Sequence, residues 1–246
     1  MTQLPSTFFG WVGFILEKYG PLFLNGVGVT LIVAITGTVA GFVLGLLVAI
    51  LRTIPTSPKD PWYKRLPIKA LSILLGIYIE VFRGTPMIVQ AVVIYYGAQY
   101  AGVYMDTTFA AIFIISINTG AYMAEIIRGG IVSVDKGQFE AAHAIGMTHW
   151  QTMTTVVLPQ AIRNILPSVG NELIVNIKDS SVLNVISVSE LFFMSKSAAG
   201  AYLRYFEVFF ITACIYLVLT FTVTRLLRLL ERKMDGSKTY TICGSQ

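Results

Sequence analysis

Of 246 residues, 55% are apolar and only 13% are charged, and the mean hydropathy is +0.71. That balance excludes an ordinary soluble domain and makes lipid the solvent for most of the chain. The formal net charge of +5 does not mark a nucleic-acid surface, because the basic residues are dispersed at the ends of apolar runs, where they act first as a topology signal.

From Pro21 to Leu51 no residue is charged, a stretch longer than the roughly 20 residues that cross a hydrocarbon core. It is too long, and too poorly preceded by positive charge, for a cleaved signal peptide. Backbone polar groups in lipid must be satisfied within the segment, so long apolar runs without period-two alternation predict helices. In chain order the predicted spans are about 22–51, 70–104 with a break near Arg83 to Pro86, 107–128, 168–192 and 205–228. The expected fold is therefore all-α, a multi-pass transmembrane bundle of about five spans forming one permease domain over 1–246. No internal repeat or low-complexity tract is visible.

Arg52, Lys59, Lys64, Arg65 and Lys69 follow the first span, Arg128, Lys136 and Arg163 follow the third, and Arg225, Arg228, Arg232, Lys233 and Lys238 follow the last. The positive-inside rule makes these segments cytoplasmic. The N-terminus is then outside and the tail, about 229–246, is inside. Cys214 sits in an apolar run and Cys243 in the polar tail, settings that do not suggest a disulfide.

The stretch from about 132 to 166 is moderately apolar and punctuated by Gly137, Gly146, Pro159 and Pro167. A helix from near Gln138 needs a left-handed C-terminal cap where Gly146 stands. Thr148-His149-Trp150-Gln151 matches a capping box opening the next helix, which Pro159 is expected to stop at Leu158. The result is a cytoplasmic helix-turn-helix. His143 and His149 lack Cys or carboxylate companions at ligand spacing, so no metal is expected.

Glu140-Ala141-Ala142, then Gly146, Val156 and Leu158-Pro159 resemble the EAA motif of ABC importer permeases, with valine where isoleucine is usual. Phe82-Arg83-Gly84-Thr85-Pro86-Met87-Ile88-Val89-Gln90, Ala121 to Gly130, Lys136-Gly137-Gln138 and Lys178-Asp179-Ser180-Ser181 are similar to the polar amino-acid uptake branch of that family, over residues from about 20 to 230. The resemblance implies a type I importer subunit in the cell membrane. It would be paired with itself or a homologue, with two ABC ATPase subunits below and an extracytoplasmic solute-binding protein above. It also implies that Glu140, Ala141, Ala142, His143, Gly146, Met147 and Thr148 couple to the ATPase. No phosphate-binding G-x-x-x-x-G-K-[ST] loop occurs in the sequence, so ATP and Mg²⁺ belong to the partner ATPase and no cofactor is expected on this chain.

Ionisable groups inside apolar spans should face the bundle or a wet cavity. Glu172, Asn176 and Asp179 fall at i, i+4 and i+7 on one helical face, with Lys178 and Asn171 on the neighbouring stripe; Asn118 and Glu125 share a face of the third span. An amino acid is a zwitterion whose ammonium needs carboxylates and whose carboxylate needs donors, and these groups supply both. The competing reading is an internal ion pair of Lys178 with Glu172. Arg83 sits at a break that is either a plain kink or a lining of the pathway. Two other function classes compete: an ion-coupled secondary amino-acid transporter, which would show inverted repeats and more spans, and an intramembrane enzyme, which would need a nucleophile–base motif that the sequence lacks.

Overall fold

The computed structural model describes residues 4–54 and 61–234, and all its regular elements are helical. They are α1 (Phe8–Arg52), α2 (Trp62–Gly84), α3 (Met87–Tyr100), α4 (Thr107–Val132), α5 (Lys136–Ala144), α6 (His149–Gln151), α7 (Leu158–Asp179), α8 (Leu191–Tyr202) and α9 (Tyr205–Met234). A π-helical segment, Thr152–Val157, joins α6 to α7, and a 3₁₀ segment, Ser180–Ile186, follows α7. Lys59, Lys238, Cys243 and the tail beyond Met234 lie outside the described residues.

The first span is longer than expected. α1 has 45 residues, about 68 Å at 1.5 Å per residue and twice the hydrocarbon thickness. Pro21 lies inside it rather than at its start. The added N-terminal half is held by tertiary packing, with Trp11, Ile15 and Phe23 buried against Leu191, Ala198, Ala199, Val208 and Ile211 of α8 and α9. Thr7 caps this end by accepting a hydrogen bond from the Gly10 N–H.

Three single helices, α1, α4 and α9, are long and apolar enough to cross a membrane, and a bent pair ending in α8 raises the number to four. The expected count was about five, and the difference is the second span. Gly84 to Pro86 divides it into α2, which carries Arg65, Lys69, Glu80 and Arg83, and α3, which has only 14 residues. The expected fourth span, 168–192, is not one helix either. The chain bends by 56° between the segment ending at Ile186 and α8, through Ser187 at φ 63°. Pro159 does not stop a helix, as was expected from its sequence position. It lies at the start of α7, directly after the π segment, in a helical path that continues through it. The wide π segment ahead of it absorbs the crowding its ring imposes on the preceding turn.

The core is built on α1 and α4. Gly37, Gly41 and Gly45 recur every four residues, so they lie on one stripe of α1. A Cβ there would fall 2.5 Å from Ile115 Cγ2, 2.7 Å from Thr119 Cβ and 2.5 Å from Met123 Cβ respectively. Only hydrogen at these positions lets the two backbones approach this closely. Val33, Ile114, Ile115, Leu183, Ile186 and Val188 close the core beside this contact. Gly45→Leu is expected to cost about 1–3 kcal/mol or more by overpacking, read as a lower melting temperature of the purified protein. Gly28→Ala, where an added Cβ meets nothing within 4 Å, should change it little.

Candidate functional site

The break between α2 and α3 follows from one missing proton. Pro86 has no N–H to give the Phe82 carbonyl, its partner in a continuous helix. Gln90, only 7% exposed, replaces it. Its Nε2 donates at 2.9 Å to the Phe82 carbonyl, the Thr85 carbonyl and Thr85 Oγ1. Asn118 Nδ2 donates to Gln90 Oε1 at 2.9 Å and to the Phe82 carbonyl at 3.3 Å. Asn118, predicted to line the pathway, thus has its amide committed to the break. Arg83 is exposed there, with its guanidinium 5.5 Å from the Tyr122 ring centroid.

On α7, Glu172 and Asp179 share the predicted face and are half-buried. Glu172 lies within electrostatic reach of both Asp179 and Arg83. Among the described residues the ion pairs are Arg52–Glu125, Arg128–Glu125 and Arg204–Glu207; the Lys178–Glu172 pair that the sequence left open is not among them. Lys178 and Asn171 both turn to the seam with α9. Lys178 lines a cleft of about 320 Å³ with Ile174, Leu217, Phe221 and Arg225.

The remaining predicted pathway residues make internal contacts. Asn176 is 3% exposed and donates to Thr38 Oγ1 at 2.8 Å and Thr119 Oγ1 at 3.0 Å, tying α7 to α1 and α4. Glu125 accepts from Arg52 Nη1 at 2.9 Å and from Arg128 Nη2 at 2.8 Å, joining the end of α1 to α4. Asn176 and Glu125 therefore lock helices together, which the helical-face argument did not anticipate because it cannot say which neighbour a face meets.

The helix-turn-helix has the local geometry expected of it. Gly146 has φ +82°, and the Gly146 N–H donates to the His143 carbonyl at 3.0 Å while the Met147 N–H reaches the Ala142 carbonyl at 3.1 Å, the paired bonds of a glycine-ended helix. The Thr148 N–H donates to Gln151 Oε1 at 2.9 Å and the Gln151 N–H to Thr148 Oγ1 at 3.3 Å, completing the capping box. Ala142 is buried, whereas Glu140, Ala141, His143, Gly146 and Thr148 are exposed and Met147 is half-buried. Ile145 and Trp150, not singled out from sequence, are 80% and 75% exposed. Large apolar side chains left bare beside a tight turn indicate a contact surface.

Sequence reasoning also missed Glu190. It is fully buried, with its carboxylate accepting from the N–H groups of Phe192 at 2.8 Å and Phe193 at 2.7 Å and from Tyr216 Oη at 3.0 Å. The Leu191 N–H goes to Thr30 Oγ1 at 3.2 Å. Its signal was a carboxylate immediately before an apolar helix, the place of an N-cap.

Apolar helices interrupted at two polar breaks, with a helix-turn-helix projecting an exposed apolar face, define a multi-pass membrane transport subunit. The sequence profile of the binding-protein-dependent transport system inner membrane component family matches residues 65–236, and the chain belongs to that family. The glutamine transport system permease protein GlnP of Escherichia coli K12 is 38% identical over 216 residues, covering 87% of this chain and 93% of that protein. The arginine transport system permease protein ArtQ of Bacillus subtilis 168 is 34% identical over 218 residues, covering 88% and 94%. Among solved structures, an amino acid ABC transporter crystallised with histidines superposes with TM-score 0.79 at 40% identity, over 89% of this chain and 96% of that one. An inward-facing form of the MetNI methionine ABC transporter shares the fold, with TM-score 0.72 at 22% identity, over 89% and 98%.

Asn176→Leu leaves two hydroxyls without their buried amide partner and is expected to cost about 1–3 kcal/mol. A melting temperature equal to wild type would remove the structural role assigned to Asn176.

Proposed function

We propose that this chain is the permease subunit of an ATP-driven importer and carries a polar amino acid. The observation that supports the cargo class best is the pair of half-buried carboxylates, Glu172 and Asp179, on one face of α7, together with the exposed guanidinium of Arg83 at the α2 break. Two carboxylates suit the ammonium of a zwitterion and a guanidinium suits its carboxylate. The names of the glutamine and arginine relatives agree with that class. ATP hydrolysis belongs to a partner, since the sequence holds no phosphate-binding loop. The proposed assembly has two ATPase subunits, a second permease copy or homologue and an extracytoplasmic binding protein. The N-terminus lies outside and the C-terminus in the cytoplasm.

The turn at Gly146, with Glu140, Ala141, His143, Met147 and Thr148 around it and Ile145 and Trp150 exposed, is the surface that meets the ATPase. Transport requires that cargo affinity differ between inward and outward states, and the ATPase sets which state prevails through this loop.

Proteoliposomes holding the permease, its ATPase and the binding protein test the reading. Uptake should require internal ATP, and uptake that persists on an ion gradient alone would instead establish the secondary transporter. Glu172→Gln and Asp179→Asn should each lower uptake about ten- to a hundredfold, the worth of a hydrogen bond to a charge, while the complex still co-purifies and hydrolyses ATP. Normal transport by both variants would exclude the carboxylates from the pathway. Gly146→Val forces a β-branched residue to φ > 0 and should uncouple ATP turnover from uptake or release the ATPase without loss of membrane insertion; wild-type coupling would dissociate this loop from the ATPase. Single cysteines at Ser6 and Ser197 should label only from outside, and labelling from the cytoplasmic side would reverse the topology.

A further inference from the structure

The clamp at the α2–α3 break holds more than an orphaned carbonyl. The two carbonyls gripped by Gln90, those of Phe82 and Thr85, flank the Arg83–Gly84 pair on either side. Thr85 is extended at φ −122° and ψ 146°, so the backbone leaves the helix there and has no ladder of its own to hold it. Arg83, Gly84, Thr85 and Pro86 are all exposed, and a Cβ at Gly84 would meet nothing within 4 Å, which places open space in front of the break. Behind it stands an amide pair, Gln90 buried and Asn118 half-buried. Asn118 of α4 orients Gln90 through its Oε1, so the position of the break is referred to the rigid α1–α4 core.

We infer that Gln90 and Asn118 are positioning residues for Arg83: they fix the backbone on both sides of it so that its guanidinium is presented to the open space in front of the break, where it receives the carboxylate of the amino acid. This rests on the cargo reading above and adds to it the residues that set affinity for the cargo's carboxylate end. Arg83 is exposed, forms no ion pair among the described residues and lies with its guanidinium 5.5 Å from the Tyr122 ring centroid, so its charge is not committed to a carboxylate of the described chain. A guanidinium recognises a carboxylate bidentately, and that recognition depends on orientation. A loosened backbone at Phe82 or Thr85 therefore weakens the carboxylate contact while leaving the ammonium contacts of Glu172 and Asp179 in place.

The test is equilibrium binding of L-glutamine, L-arginine and the α-carboxamide of each to the purified permease–ATPase complex without the binding protein. The wild-type complex should bind at least one of the acids about tenfold more tightly than its amide. Gln90→Leu should lower affinity for the acid to that of the amide and leave the amide unchanged. Arg83→Gln should give the same pattern, and the double variant should add nothing further. Asn118→Ala, which leaves the Gln90 donors in place, should reduce the acid-to-amide ratio in part, and it decides the matter if Gln90→Leu does not assemble. Pro86→Ala in the Gln90→Leu background returns an N–H to the Phe82 carbonyl and should recover melting temperature without recovering the ratio. If the wild-type complex discriminates acid from amide but the Gln90 and Asn118 variants weaken both equally, the two residues are structural only and the inference is overturned while the cargo reading stands. Failure of the wild-type complex to bind either acid would overturn the cargo reading itself.

Discussion

The close contact of α1 with α4 is the constraint on which the rest of the molecule depends. A hydrophobic driving force between helices is absent in lipid, so association relies on van der Waals fit and on hydrogen bonds that have no competing water. The stripe of Gly37, Gly41 and Gly45 supplies the first, by letting Ile115, Thr119 and Met123 sit directly against the α1 backbone. The second begins at the same place. Thr38 and Thr119 flank that stripe and bind the buried Asn176, so α7 is fastened to the pair by the polar atoms that the glycine contact brings together. At the Arg52 end, Glu125 clamps the same two helices through its pair with Arg52, and Arg128 one turn along α4 holds the same carboxylate. A shift of α4 along α1 by one turn would break all of these at once.

The two breaks within the apolar bundle are each repaired by side chains, because lipid offers no substitute donor or acceptor. At Pro86 the orphaned Phe82 carbonyl is taken by Gln90 and Asn118. At the start of α8 the free N–H groups of Leu191, Phe192 and Phe193 are taken by Thr30 and Glu190, and Tyr216 supports the Glu190 carboxylate. Gln90 and Glu190 stand beside the breaks themselves, and Asn118, Thr30 and Tyr216 tie them to α4, α1 and α9. Backbone irregularity is thus tolerated where the scaffold is most rigid, and the two breaks place polar groups inside an otherwise apolar bundle.

What was legible in the sequence divides along the range of the interactions involved. The Gly146 turn and the Thr148–Gln151 box were readable because their hydrogen bonds close within a few residues and depend on residue type alone. The common face of Glu172 and Asp179 was readable because it needs only the helical period. The fates of Asn176 and Glu125 were not, since a polar residue on an inward face serves equally well to line a path or to bind a neighbouring helix, and the choice is made by Thr38, Thr119 and Arg52 arriving from elsewhere in the chain. Pro159 misled for a related reason. Proline ordinarily stops or kinks a helix from within, and the wide turn at Thr152–Val157 that accommodates its ring here is a backbone feature that residue type does not announce.

That segment also bears on how the two ends of the molecule communicate. From His149 at the exposed turn to Asp179, the chain is helical without interruption, through α6, the π segment and α7. At 1.5 Å per residue this is a lever of about 45 Å, and its two ends are the proposed ATPase contact and the proposed cargo carboxylates. Asn176 fastens the lever to α1 and α4 one turn from Asp179, which makes that point the natural fulcrum. Motion applied at Trp150 and Ile145 would then move the lower part of the lever most and rotate Glu172 and Asp179 relative to Arg83, which the Gln90 clamp holds to the core. A zwitterion gripped between a fixed guanidinium and carboxylates on a pivoting helix would feel any such rotation as a change in affinity, the differential that alternating access requires.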